Sequence, residues 1–321
     1  MNTEKLSTKI YRKVRRLFEG LDTPWEFFLL CINCIVRIIV RKNFRLHVRS
    51  AERRMMRQHL KDGILIFREI RFPAIDPQLS SEASVKGIIE DTLFVYCKHD
   101  DCYEESEMES YYDLLSEGPY CFRNDLVDVT VEAGEVVLDA GSWIGDFAAY
   151  ASVKNATTYA FEPSDTVYEY LQQTARLNKN IIPVKKGLGD TKITAEFTCD
   201  VGNSGSNRLA FGRRRPDGVM LLGEQLIEIT TIDDFVCENS LTRVDFIKAD
   251  IEGHERYMLK GALETLRRFA PKLAICTYHL PDDPEVLEKI IREANPKYNI
   301  VQKRKKLYAS VPSKGWSPYV V

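Results

Sequence analysis

The sequence lacks an excess of positive charge and a regular cysteine pattern. Its 45 Lys and Arg stand against 47 Asp and Glu, which gives a net charge of −2. Because affinity for a phosphate backbone needs a basic surface, nucleic acid is not expected as a partner. Of the eight cysteines, only Cys31 and Cys34 have the two-residue spacing of a zinc or redox motif, and no second pair lies nearby. These absences favour buried cysteines in a cytoplasmic protein over a metal or redox centre.

The sequence also has no uninterrupted apolar run of the about 20 residues that a membrane-spanning helix needs. Its most apolar stretch, residues 25–40, contains Asn33 and Arg37 and follows a pattern typical of a helix-capping box. No small-residue cleavage site follows it, so a secretory signal is not expected. We expect a helix that packs on the catalytic domain or on a partner surface.

Charge is distributed unevenly near the N-terminus. Residues 1–60 contain 14 Lys and Arg against 5 Asp and Glu, whereas residues 61–120 contain 5 against 14. Either the two segments neutralise each other in the fold, which we expect, or the basic one contacts a protein or an anionic lipid surface. The second alternative would place the protein peripherally at a membrane. We predict an accessory region at residues 1–120 and a catalytic domain at 121–321.

From residue 131 onward, apolar segments of strand length alternate with helical patterns. Predicted strands cover residues 136–140, 157–161, 182–185, 196–199, 245–250, 272–278, 299–303 and 306–311. Predicted helices cover residues 166–178, 255–269 and 284–295. This alternation predicts an α/β fold with a doubly wound parallel sheet, whose ligands bind beyond the carboxyl ends of the strands. Residues 303–306, all Lys or Arg, are expected to form the solvated turn of a terminal hairpin.

The most informative segment is residues 136–145, an apolar strand that runs into an acid and two glycines. Gly141 and Gly145 would let a ligand approach the backbone, and Asp139 can accept from a cationic amino group. The three-glycine fingerprint of dinucleotide sites is absent. We therefore predict that Asp139, Gly141, Ser142 and Gly145 bind S-adenosylmethionine, which has an amino acid moiety but no phosphate. A glycine turn without a ligand is the alternative.

Polar residues follow three further strands. Glu162 ends the second strand and can accept hydrogen bonds from both ribose hydroxyls of a nucleoside. Asp250 and Glu252 follow a strand that also holds Lys248, for which an internal ion pair is the expected role. His279 follows the next strand and is the candidate for proton transfer.

Together these segments resemble the FkbM-type methyltransferases. The matching pieces are residues 138–145, residues 161–163, Asn178, residues 231–235, residues 245–255, Tyr278, His279, Asp282 and Asp283. The resemblance covers roughly residues 120–300, and the most specific part is the Lys-x-Asp-x-Glu-Gly-x-Glu run at 248–255. It implies a seven-stranded methyltransferase fold that transfers the methyl group of S-adenosylmethionine, usually to a hydroxyl of a sugar or other small molecule. Ser142 and Trp143 depart from the Ala-Asn that the family often has.

Methyl transfer from a sulfonium requires an aligned acceptor oxygen and removal of its proton. We predict His279 as the base, with Asp250 or Glu252 orienting the acceptor and Asp250 also contacting the cofactor. Alternatively, Asp250, Glu252 and His279 hold a divalent metal that acidifies the hydroxyl. Two other functions stay open: an NAD-dependent oxidoreductase, against which the missing third glycine counts, and a non-catalytic cofactor-binding regulatory protein.

Overall fold

The computed structural model describes residues 60–61, 64–67, 69–73, 120–198, 208–209, 224–303 and 305–312. The chain divides into two compact units, residues 1–65 and 66–321. In the first unit, β1 (Leu60–Lys61) pairs antiparallel with the beginning of β2 (Ile64–Phe67). The helix predicted at 25–40 lies outside the described residues, as does most of the predicted accessory region. Among the helices that the structure describes, none is long and apolar enough to cross a membrane.

The second unit alternates strands with helices. Its strands are β3 (Ile70–Pro73), β4 (Phe122–Arg123), β5 (Asp128–Val129), β6 (Val136–Ala140), β7 (Thr157–Phe161), β8 (Ile181–Val184), β9 (Gly187–Leu188), β10 (Ile193–Thr198), β11 (Arg208–Leu209), β12 (Glu224–Thr230), β13 (Phe246–Ala249), β14 (Lys272–Cys276), β15 (Asn299–Lys303) and β16 (Lys306–Ser310). Its helices are α1 (Asp146–Val153), α2 (Asp165–Leu177), α3 (Ile232–Glu238), α4 (Glu255–Lys260), α5 (Leu263–Arg268) and α6 (Asp283–Ala294).

A seven-stranded sheet forms the centre of this unit, in the order β15-β16-β14-β13-β6-β7-β8. Strands β14, β13, β6, β7 and β8 are parallel neighbours, and β16 lies antiparallel between β14 and β15. The strand order reverses at β6, which has β7 on one side and β13 on the other, and ligand crevices form at such a switch point. The predicted α/β sheet with its C-terminal antiparallel hairpin is confirmed.

The core lies around the middle strands of this sheet. All four residues of β13 are buried, as expected for a parallel strand covered on both faces. Helix α6 buries Leu287, Ile290, Ile291 and Ala294, a spacing that places them on one face of a helix. Full burial of a Leu or Ile side chain contributes about 1.5–3 kcal/mol, so the sheet and helix stabilise each other chiefly through these contacts.

A smaller four-stranded sheet has the order β11-β10-β12-β9. Strands β10 and β12 pair antiparallel over six residues, and β9 runs parallel to β12. Phe197, Ile227 and Ile229 are its buried apolar residues. The sequence predicted β10 but not β12 or β9, because the charged residues of β12 interrupt its apolar pattern.

Strand β3 belongs to the second unit and packs on α2. The side chain of Asn178, at the end of α2, accepts from the backbone N–H of Arg71 and donates to its carbonyl, at 3.1 and 2.7 Å. Ile70 and Phe72 are fully buried. Residues 70–73 fall inside the predicted accessory region, yet they are part of the same compact unit as the large sheet.

Two local predictions were wrong. A single helix was predicted at 255–269, but the structure has α4 and α5, with Gly261 between them. A Cβ at Gly261 would lie 2.0 Å from the carbonyl oxygen of Gly189, so only a glycine lets that neighbouring segment approach this closely. The basic turn at 303–306 is not fully solvated, because Lys306 is buried in β16 with its Nζ 4.3 Å from the centroid of the Tyr120 ring.

Candidate active site

A cleft opens at the carboxyl ends of β6, β7 and β13. It is partly open to solvent, and small-molecule and cofactor sites are usually concave clefts of this kind. Most polar groups of the cleft come from residues at the ends of the large sheet's strands. The wall that the smaller sheet forms is mostly apolar. The lining residues include Ala140, Gly141, Phe161, Glu162, Asp250 and Glu252 from the large sheet's strand ends, and Gly187, Leu188, Phe197 and Ile227 from the smaller sheet.

Glu162 is a buried carboxyl at the rim of this cleft. One oxygen accepts from the backbone N–H of Ser164 at 2.9 Å. Burial raises the pKa of Glu162 to about 8, although hydrogen bonds from the backbone of Ser164 and Trp143 act in the opposite direction. Both protein donors are backbone amides, so the carboxyl retains lone pairs for hydroxyl groups of a ligand.

The two glycines of the turn are required by packing within the protein. Gly141 has φ 71° and Gly145 has φ 89°, in the left-handed region that favours glycine. A Cβ at Gly141 would lie 2.0 Å from the carbonyl oxygen of Asp250, and one at Gly145 would lie 2.8 Å from Cδ1 of Leu171. Gly141 also lines the cleft. The protein's own backbone and side chains approach both glycines closely, and the predicted approach of a ligand to the turn stays a prediction.

Asp139 and Ser142 lie behind the turn, and neither is among the residues that line the cleft. Asp139 is fully buried, with Oδ1 3.0 Å from Nζ of Lys248, so the internal ion pair predicted for Lys248 is confirmed. Lys248 also donates to the carbonyl of Gly141 at 2.6 Å. The hydroxyl of Ser142 donates to the carbonyl of Asp139 at 2.7 Å. Their predicted contacts with a cofactor stay predictions.

Trp143 lines the cleft from the same turn. Its backbone has φ 50°, a conformation that bulky residues adopt rarely and Asn adopts more readily. The departure from the Ala-Asn pattern therefore puts a large aromatic residue at the lining of the cleft, at a position whose backbone suits a small polar residue.

Asp250, Glu252 and His279 come together at the ends of β13 and β14. Nε2 of His279 lies 3.5 Å from Oδ1 of Asp250 and 3.7 Å from Oε1 of Glu252. Asp250 also accepts from the hydroxyl of Tyr120 at 2.5 Å and from that of Tyr278 at 3.1 Å. The structure thus brings together the three residues that were predicted for catalysis, and it adds two tyrosines that were not.

Glu255 is a third acidic residue at this cluster, and it was not predicted as part of the site. It is fully buried and accepts from the backbone N–H groups of Ile251 and Gly253 at 2.9 and 3.0 Å. Its Oε1 lies 3.0 Å from Nδ1 of His279. The signal was present in the sequence, because Glu255 closes the run at 248–255 that carries the family resemblance most specifically.

The charges of this cluster act on one another. Burial lowers the pKa of His279, but Glu252 and Glu255 outweigh it and raise the pKa to about 10. Burial raises the pKa of Asp250, yet the nearby positive charges of Lys248, Lys306 and His279 hold it below its ordinary value. A histidine with this pKa carries a proton at neutral pH and cannot accept another. The predicted role of His279 as a base therefore requires that this proton be displaced first.

The model of the methyltransferase FkbM domain matches residues 138–298, half of the chain. This stretch contains the cleft, the glycine turn and the acidic cluster. The chain belongs to the FkbM methyltransferase family. Like the other members of that family, it is an S-adenosylmethionine-dependent methyltransferase with an α/β, Rossmann-like fold, and the oxidoreductase alternative is set aside.

Two curated proteins are similar to this FkbM-family chain. The hexuronic acid methyltransferase AglP of Haloferax volcanii is 29% identical over 176 residues, which cover 54% of this chain and 69% of AglP. The methyltransferase sdnD of Sordaria araneosa is 26% identical over 194 residues, which cover 50% of this chain and 75% of sdnD. The crystal structure of a methyltransferase FkbM from Methylobacillus flagellatus is 25% identical with a TM-score of 0.44. That match covers 72% of this chain and 56% of the solved one.

The chemistry of the cleft lining in this FkbM-family protein suits S-adenosylmethionine. Glu162 offers lone pairs for ribose hydroxyls, and the apolar wall at Phe197 and Ile227 suits a purine ring. Asp250 and Glu252 line the same cleft. A nucleoside and an acceptor hydroxyl would therefore share one space.

Proposed function

We propose that this protein methylates a hydroxyl group of a sugar or a glycan with S-adenosylmethionine. The observation that supports this most is that one cleft is lined both by Glu162, a buried carboxyl with lone pairs for ribose hydroxyls, and by Asp250 and Glu252, the two acids beside His279. The similarity to a protein named for hexuronic acid methylation supports a sugar as the acceptor.

Glu162 would hold the ribose hydroxyls, and Phe161 and Ile251 lie beside it in the cleft lining. When bound, S-adenosylmethionine supplies a methyl group on a positively charged sulfur that leaves as a neutral thioether. The residues of the chain then have two tasks, which are to align the acceptor oxygen and to accept its proton.

Asp250 and Glu252 would align the acceptor. Both are partly accessible, with 19% and 22% of their side chains exposed, so a sugar hydroxyl can reach them from the cleft. Tyr120 and Tyr278 fix the carboxylate of Asp250 from behind. The acceptor hydroxyl would give up its proton to a carboxylate of Asp250 or Glu252, because His279 already carries a proton at neutral pH.

The proposal is tested by a methyl-transfer screen with purified protein. The acceptors would be glucuronic acid, galacturonic acid, glucose and short glycans carrying them, and methylation would be read as a mass gain on the acceptor with release of S-adenosylhomocysteine. We expect turnover with at least one sugar. Binding of S-adenosylhomocysteine without any methylated sugar, together with methylation of a non-sugar hydroxyl or of an amine, would contradict the sugar assignment.

A further inference from the structure

We infer that Asp250, Glu252 and His279 form a binding site for one divalent cation. One carboxylate oxygen from each acid and one ring nitrogen lie within 4.8 Å of one another. The role given to this cation below rests on the proposed function, whereas its binding does not.

The distances within the cluster suit ligands of a common ion better than hydrogen-bonded partners. Nε2 of His279 lies 3.5 Å from Asp250 and 3.7 Å from Glu252, longer than a good hydrogen bond between nitrogen and oxygen. Two ligands that each lie about 2.0–2.2 Å from one cation at a tetrahedral angle are about 3.3–3.6 Å apart. Small movements of the two acidic side chains would therefore complete the coordination.

His279 supplies the second observation. Its side chain is only 7% exposed, and Nε2 has no hydrogen-bond partner within the described chain. Buried polar atoms without a partner are rare and destabilising, so each calls for an explanation. This nitrogen points toward the two carboxylates, and a cation between them would displace its proton and satisfy it.

The second ring nitrogen of His279 also has the kind of partner that metal-bound histidines usually have. Nδ1 of His279 lies 3.0 Å from Oε1 of Glu255, a carboxylate that is fully buried and fixed by two backbone N–H groups. Metal-bound histidines usually direct their second ring nitrogen at a carboxylate or carbonyl, which fixes the orientation of the ring. Glu255 would do so here as a positioning residue.

Two carboxylate oxygens and one imidazole nitrogen suit Mn²⁺, Zn²⁺ or Mg²⁺ and leave coordination positions open. Because Asp250 and Glu252 line the cleft, the open positions would face the acceptor. A hydroxyl bound to the cation loses its proton more readily. The cation would thus activate the acceptor oxygen for methyl transfer.

The test is titration of the metal-free full-length protein with Mn²⁺, followed by calorimetry and by the electron paramagnetic resonance signal of the ion. We expect one saturable site with hyperfine coupling to a histidine nitrogen. Glu252→Gln should weaken binding at least about tenfold, and His279→Asn should abolish the nitrogen coupling. The matched control is Glu264→Gln, which changes an exposed acid whose carboxylate lies near Arg267, and it should leave binding unchanged.

Absence of a saturable Mn²⁺ or Zn²⁺ site in the folded wild-type protein would overturn the inference, and so would Glu252→Gln and His279→Asn variants that bind like the control. Melting curves identify any variant that does not fold, and the isosteric Glu252→Gln keeps the test decisive if His279→Asn fails. S-adenosylhomocysteine titration of the same samples separates the two claims. Binding of that nucleoside without Mn²⁺ binding refutes only the cation site, whereas Mn²⁺ binding without nucleoside binding refutes the proposed function.

Discussion

Glu162 allows a quantitative test of the cofactor site through pH. In the ligand-free protein its pKa is raised to about 8 by burial, so at pH 7 only about one tenth of the molecules carry the ionised form. Ribose hydroxyls donate hydrogen bonds and therefore favour the carboxylate over the acid. Because binding then draws on the ionised fraction, the affinity for S-adenosylhomocysteine should rise about tenfold from pH 7 to pH 9. The rise should level off above the pKa.

The matched variant is Glu162→Gln, which has the same shape but does not titrate. Two hydrogen bonds with a net value of about 0.5–1.5 kcal/mol each correspond to a loss of about 1–3 kcal/mol, or about 5- to 150-fold in affinity. The assay is calorimetric titration of both proteins at several pH values, with the variant correcting for titration of the ligand itself. If the ratio of the two affinities is independent of pH, or if the affinity of Glu162→Gln equals that of the wild type, Glu162 does not bind the cofactor.

Four further changes have defined outcomes. Lys248→Met leaves the carboxylate of Asp139 buried without its partner and should destabilise the fold by about 3–5 kcal/mol in urea unfolding; a loss below 1 kcal/mol would show that the ion pair matters little. Gly141→Val places a side chain against the backbone that follows β13, so the variant should neither fold stably nor bind a nucleoside. A variant that still binds S-adenosylhomocysteine would disprove the packing argument. Glu255→Gln should weaken Mn²⁺ binding about 10- to 100-fold and leave the affinity for S-adenosylhomocysteine within about twofold of the wild type. Equal losses of Mn²⁺ affinity and nucleoside affinity would indicate a purely structural role for Glu255. His279→Ala should lower kcat by roughly 100- to 10,000-fold and leave the affinity for S-adenosylhomocysteine nearly intact. The two quantities are measured separately, and an unchanged kcat would show that His279 has no part in catalysis.

The sheet was predictable because its strands have simple sequence signals. Strands β6 and β7 match their predicted bounds. Each is a mainly apolar run, and each ends just before a residue that suits a turn or a strand end, which is Gly141 for β6 and Glu162 for β7. The cluster was predictable for the same reason, because Asp250 and His279 both follow buried parallel strands, and neighbouring parallel strands end at the same edge.

Contacts between distant segments could not be predicted. Gly261 lies within a helical pattern, and only the position of Gly189 in space explains why this residue has to be a glycine. Lys306 lies in a basic run that is typical of solvated turns, and its burial depends on the ring of Tyr120, which is far away in sequence. Glu255 closes the run at 248–255, but its contact with His279 follows from the fold of the loop before α4.

Because Trp143 lines the cleft, binding there can be followed by tryptophan fluorescence. The sequence has three tryptophans, and the other two, Trp25 and Trp316, lie outside the described residues. Replacing those two with Phe would leave one indole fluorophore, at the lining of the cleft that we propose for the cofactor. Its emission would change as ligand displaces water around the ring, so stopped-flow mixing could time cofactor arrival and product release separately from the chemical step.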